Sequence, residues 1–243
     1  MRMQKWKDFL QKYKHAWVFS YFIIYLAWFI YLEKRTSVQY YPMHMHLDDV
    51  IPFCEYFVIP YLLWFAYIAV AILYFFFTSQ KDFYKCCGML FTGMTFCLIV
   101  YTFFPNEQEL RPAVFAHSNI FTDLVQYIYD TDTSTNVCPS IHVLNSIGIF
   151  LSILECERLR KHKAVVTCSG ILTLLICMST VFLKQHSMVD VLCGAGLAIV
   201  LYAFVYRVNY QRLFATIQEW RRIQKEEATT IKRKNRSSRN EIG

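Results

Sequence analysis

The sequence predicts an all-α protein, a polytopic membrane bundle of six transmembrane helices with both termini in the cytoplasm. Three observations carry this. The 243 residues are 56 % hydrophobic and 18 % aromatic, above the about 45–50 % apolar content of soluble domains. These apolar residues are gathered into blocks separated by short polar stretches, and a bilayer core takes about 20 helical residues to cross. Finally, 21 of the 25 Lys and Arg fall on one side of a six-span arrangement.

The blocks cover approximately 16–32, 56–78, 87–105, 141–156, 164–183 and 188–206. The first is too long for the apolar region of a signal peptide and lacks a small-x-small cleavage pattern near Glu33, so it reads as a retained helix. Ahead of it, Trp6, Phe9, Leu10, Tyr13 and Trp17 recur at helical spacing among lysines, as in an amphipathic helix on the inner leaflet. The first outer loop contains His44, His46, Asp48 and Asp49 and is bounded by Pro42 and Pro52. With no third fixed donor it reads as an interfacial lid rather than a metal site. The basic stretch Gln80 to Lys85 forms a short turn between the second and third spans.

The longest outer loop follows the third span and includes a short amphipathic helix over 120–129. The fourth block is the most polar, carrying His142, Asn145, Ser146 and Ser152. Pro139 is expected at the first helical position of this segment, which leaves His142 in its first turn. The sixth block is preceded by His186 and contains Asp190, four residues on. If the helix begins near His186, the two share a face. Beyond it, 208–243 read as a basic amphipathic helix and a disordered tail, leaving 1–207 as the membrane domain.

Cytoplasmic segments collect Lys and Arg, so the basic side is cytoplasmic and the net charge of +7 marks topology and anionic lipid headgroups. Nucleic acid is not an implied partner. Of the nine cysteines, Cys54 and Cys138 fall on the outer side, where a disulfide is chemically permitted. No Cys/His spacing indicates zinc.

Topology selects among the remaining polar groups. Arg111, His142, Lys184, His186 and Asp190 all fall at the outer ends of spans, a costly grouping in an apolar protein. A carboxylate holding one imidazole nitrogen leaves the other basic and aimed. Cations and helix N–H groups can hold a phosphate while a second histidine protonates the leaving oxygen. The set suits phosphoryl transfer, and no metal motif is needed.

Pro139-Ser140-Ile141-His142 resembles the PSxH motif of the type-2 phosphatidic acid phosphatase superfamily, which also includes vanadium haloperoxidases. Ser179, His186 and Asp190 are similar to its third motif, SRx5Hx3D, and Arg111-Pro112 to the end of its first, Kx6RP. The resemblance covers about 104–190 in the family's order. It implies His186 as the nucleophile forming a phosphohistidine, Asp190 as its orienter and His142 as the general acid. Ser140 and Arg111 would bind phosphate. Two cation positions depart from the pattern, Phe104 for the first-motif Lys and Thr180 for the third-motif Arg, and Lys184 is the expected replacement charge.

The implied function is a cofactor-free lipid phosphatase of the cell membrane. It would act at the extracytoplasmic face on a lipid phosphomonoester or diphosphate. The alternatives are a lipid phosphotransferase similar to sphingomyelin or inositol-phosphoceramide synthases, and a non-catalytic lipid-binding protein. No feature of the sequence specifies an oligomer.

Overall fold

The computed structural model describes residues 11–208 and 222. The chain divides into two units, Met1–Tyr206 and Arg207–Gly243, and the site lies in the first. The expected N-terminal amphipathic positions Trp6, Phe9 and Leu10 lie outside the described residues. So do nearly all of the expected C-terminal helix and its basic tail.

A 3₁₀ segment, Lys14–Ser20, runs into helix α1, Tyr21–Glu33. After it come strand β1 (Tyr41–Pro42), the short helix α2 (His46–Val50) and the long helices α3 (Val58–Thr78) and α4 (Gln80–Phe103). Strand β2 (Asn106–Glu107) and helix α5 (Ile120–Thr131) occupy the next loop. Helices α6 (Ile141–Glu155), α7 (Lys163–Phe182) and α8 (Met188–Tyr202) complete the first unit, α8 passing into a π-helical turn at Ala203–Arg207.

Among the described residues, five segments are long and apolar enough to cross a membrane: Lys14–Glu33, Glu55–Thr78, Gln80–Phe103, Lys163–Phe182 and Met188–Arg207. The fourth predicted block is different. It forms α6, whose 15 residues rise only about 22 Å, against a hydrocarbon core of about 30 Å. Helix α6 packs against α4, α7 and α8 together, and its Asn145, Ser146 and Ser152 are buried. Packed against three helices, it buries an asparagine among its polar residues, whereas the buried polar residues of Lys163–Phe182 are serines and threonines.

Two boundaries move from the sequence reading. The expected basic turn at Gln80 is the first turn of α4, because Ser79 caps that helix by accepting the N–H of Asp82. Pro139 is not the first helical residue. Ser140 is the N-cap of α6, its hydroxyl accepting the N–H of Val143 at 3.4 Å. The cysteines are free thiols, Cys54 and Cys138 among them.

Two features bring the outer loops together. Strands β1 and β2 pair in parallel, Tyr41 opposite Asn106 and Pro42 opposite Glu107. Buried Asn106 then accepts the N–H groups of Val137 and Cys138 at 2.8 and 2.7 Å. Its amide donates to the Phe104 and Cys138 carbonyls. One side chain thereby fixes the segment that delivers Ser140 and His142 from the end of α4.

Candidate active site

His186 does not lie on a helix face. It occupies the loop between α7 and α8, two residues before α8 begins. The histidine–carboxylate contact forms nonetheless, because Ser187 is the N-cap of α8 and Asp190 its third residue. That capping box turns the Asp190 carboxylate back over the start of the helix. Asp190 Oδ2 accepts the Ser187 N–H at 2.9 Å and lies 3.3 Å from His186 Nδ1. Asp190 is fully buried and His186 nearly so.

The other face of the imidazole meets His142. His186 Nε2 lies 3.4 Å from His142 Nδ1, with ring centroids 5.5 Å apart. His142, in the first turn of α6, is backed by Tyr61 and Trp64 of α3 at centroid distances of 4.8 and 4.4 Å. One imidazole nitrogen is therefore held by a carboxylate while its opposite nitrogen faces a second histidine. That is the geometry of an oriented nucleophile with a proton donor beside it.

Arg111 approaches from the loop after β2. Its guanidinium donates to the carbonyls of Tyr129, Asp132 and Thr133 and, at 2.7 Å, to Gln185 Oε1. It also lies over the Tyr129 ring at 4.5 Å. Ser140 is buried, with its backbone N–H on the Asp190 carbonyl. The structure thus brings Arg111, Ser140, His142, His186 and Asp190 together.

Lys184 is oriented differently. Its ammonium donates to the backbone carbonyls of Asp48 and Ile51 at 2.7 and 2.6 Å. Burial lowers its pKa from the ordinary lysine range, against the opposing pull of Asp48 and Asp49. It stands in the left-handed region at φ 54°, uncommon for a residue with a side chain, and the two hydrogen bonds offset that cost. Its ammonium ties the first outer loop to the histidine loop.

Asp48, read in the sequence only as part of a loop, makes the larger part of that tie. Its carboxylate accepts Ser187 Oγ–H at 2.5 Å, the Met188 N–H at 2.8 Å and the Met45 N–H at 2.7 Å. The same Ser187 N–H that holds Asp190 is therefore braced from behind. Asp132 is the second residue the sequence reading passed over. Burial raises its carboxyl above the ordinary range, opposed by His186, Arg111 and a hydrogen bond from Tyr61. The sequence offers Asp48 only as one acid of the loop that also holds His44, His46 and Asp49, and Asp132 only as part of the polar stretch after α5.

A cavity of about 760 Å³ opens beside the two histidines. At one end it is lined by His142, His186, Gln185 and Asp132; at the other it runs between α1 and α3 past Phe19, Phe22 and Leu73. The wall along the helices is apolar, so the two histidines sit at the head of an apolar groove.

The model of the PAP2 superfamily matches residues 89–214. This span holds most of α4 and all of α5 through α8, and with them both histidines, Asp190, Ser140 and Arg111. The chain belongs to the PAP2 superfamily. Its members are generally phosphatases, and a phosphohistidine intermediate is a general feature of the family. No curated protein and no solved structure matches the chain. Within the superfamily, this member carries Phe104 and Thr180 where the family pattern has cations. The Phe104 ring stacks on Tyr41 at 4.6 Å, and the Thr180 hydroxyl donates to the Cys177 carbonyl.

Proposed function

We propose that this protein is an integral-membrane lipid phosphatase that hydrolyses a lipid phosphate ester through a phosphohistidine on His186. The observation that carries the reading is the pair of facing imidazoles, Nε2 to Nδ1 at 3.4 Å, at the head of an apolar cavity. His186 Nε2 attacks phosphorus while Asp190 holds the Nδ1 proton. His142 gives its proton to the departing lipid alcohol. Water then attacks the phosphohistidine, with His142 taking the proton back. The backbone N–H groups at the start of α6 bind phosphate oxygens, Arg111 adds positive charge from behind Gln185, and the lipid chain lies in the groove between α1 and α3.

The topology belongs to the same proposal. Six segments cross the bilayer, α6 as the short, protein-enclosed one, with both termini cytoplasmic and the histidines extracytoplasmic. The uneven distribution of Lys and Arg supports this orientation. A second reading, transfer to a lipid alcohol, has one observation in its favour. The carboxylates of Glu33 and Asp132 line the cavity and can accept hydrogen bonds from an acceptor hydroxyl.

The test is turnover of a panel of lipid phosphates by detergent-purified protein without added metal, beside His186→Ala. Release of the free lipid alcohol with inorganic phosphate or a water-soluble phosphorylated headgroup, lost in the variant, supports hydrolysis. A headgroup moved to a second lipid supports transfer. Lipid turnover identical in wild type and variant removes His186 from the mechanism.

A further inference from the structure

The missing cations leave open what holds the phosphate. Among the described residues, the buried polar atoms around the histidines that find no partner are the donors Arg111 Nε, Gln185 Nε2 and Trp64 Nε1 and the acceptors Asn145 Oδ1 and Asp190 Oδ1. Buried polar groups are nearly always paired, and Gln185 Nε2 and Trp64 Nε1, both on residues that line the cavity, are the two unpaired donors there that an acceptor oxygen would satisfy. Gln185 is the most telling, being 3 % exposed and immediately before His186 in the chain. Its orientation is fixed, since Arg111 Nη2 donates to its Oε1 at 2.7 Å and that leaves the NH₂ group as the free end. Gln185 and Trp64 both line the cavity that reaches the histidines.

Charge points the same way. The described residues lining the cavity include Glu33 and Asp132 but no lysine or arginine. Arg111 stands behind Gln185 and is largely committed to carbonyl oxygens. Lys184 is tied to the Asp48 loop and does not line the cavity. A phosphomonoester brings about 1.5–2 negative charges at neutral pH, and burying them beside two carboxylates against one guanidinium leaves charge uncompensated. A phosphodiester brings one.

We infer that Gln185, with Trp64, binds the phosphate by neutral hydrogen bonds in place of the absent cations, and that the site selects a lipid phosphodiester over a monoester. This rests on the phosphohistidine reading above and narrows its substrate. The step balances as before. The His186 Nε2–P bond forms as the bond from phosphorus to the lipid alcohol oxygen breaks, and His142 protonates that oxygen. The phosphorylated headgroup left on His186 is then released by water.

Phosphatidylglycerol and phosphatidic acid test this directly, because both give diacylglycerol and only the former is a diester with an uncharged headgroup. Both are supplied in mixed micelles to purified wild type, Gln185→Leu, Gln185→Arg and His186→Ala. The expected result is a kcat/KM at least about tenfold higher for the diester in wild type. Gln185→Leu should lower it by roughly 10–100-fold, and Gln185→Arg should move the preference towards phosphatidic acid. Wild-type preference for phosphatidic acid overturns the inference, as does a Gln185→Leu protein with unchanged kcat/KM. In either case, diacylglycerol release that His186→Ala abolishes keeps the phosphohistidine reading. Release absent from every protein, or untouched by His186→Ala, removes both.

Discussion

Ser140 donates its backbone N–H to the carbonyl oxygen of Asp190 at 3.1 Å. This bond joins the N-termini of α6 and α8, and so joins the helix bearing His142 to the one whose cap orients His186. The approach requires Gly194. A Cβ at that position would stand 2.6 Å from the Ser140 carbonyl oxygen, a backbone atom that cannot swing aside. Gly194→Ala should therefore displace α6 from α8 at a cost of about 1–3 kcal/mol. The expected outcome is a lower thermal midpoint together with reduced kcat. Unchanged values of both would show that the helix contact is slack.

The two histidines should fail in different ways. His186→Ala removes the nucleophile and should abolish phosphoenzyme formation with every substrate. His142→Ala should slow hydrolysis of alkyl esters by about 10²–10⁴-fold yet affect para-nitrophenyl phosphate much less, since that leaving group departs without a proton. Equal losses on both substrates would argue that His142 does more than protonate the leaving oxygen.

Asp48 lies in the loop farthest in sequence from the histidines and holds Ser187 and Met188 directly. Asp48→Ala strands the buried Ser187 hydroxyl and the part-buried N–H groups of Met188 and Met45, an expected loss of about 2–4 kcal/mol, read as a fall in thermal midpoint. Lys184→Met should cost less, because it frees two carbonyl acceptors, which are left under-satisfied more readily than buried donors. If Asp48→Ala matches wild type in both stability and kcat, the loop does not brace the histidine.

Asp132 provides a pH signature. Burial raises its folded-state pKa, so the folded protein binds this proton more tightly than the unfolded chain does. The favourable contribution is present below the unfolded carboxylate pKa and is lost as pH rises through the folded one. Asp132→Asn, which mimics the protonated form, should raise the thermal midpoint at pH 7. The gain should vanish below the ordinary carboxylate range, near about pH 4. A variant less stable than wild type at pH 7 would show that the ionised carboxylate is stabilised by Arg111 and His186 more than burial penalises it.

Much of this protein was legible in its residues. Apolar blocks of about 20 residues, the length a helix needs to cross a bilayer, mark a multi-pass membrane chain, and the motif residues Arg111, Ser140, His142, His186 and Asp190 carry the resemblance to the superfamily whose model the chain matches. The tertiary structure decided the rest. Spacing suggested that His186 and Asp190 share a helix face, whereas their contact comes from a capping box with His186 outside the helix. Lys184 looked like replacement charge because sequence gives position without direction, and its side chain instead reaches Asp48 and Ile51, more than 130 residues away. Asp48, Asp132 and the free amide of Gln185 carry no local pattern at all. Periodicity and motifs report what a segment does with its own neighbours, whereas hydrogen bonds between distant loops depend on how helices pack.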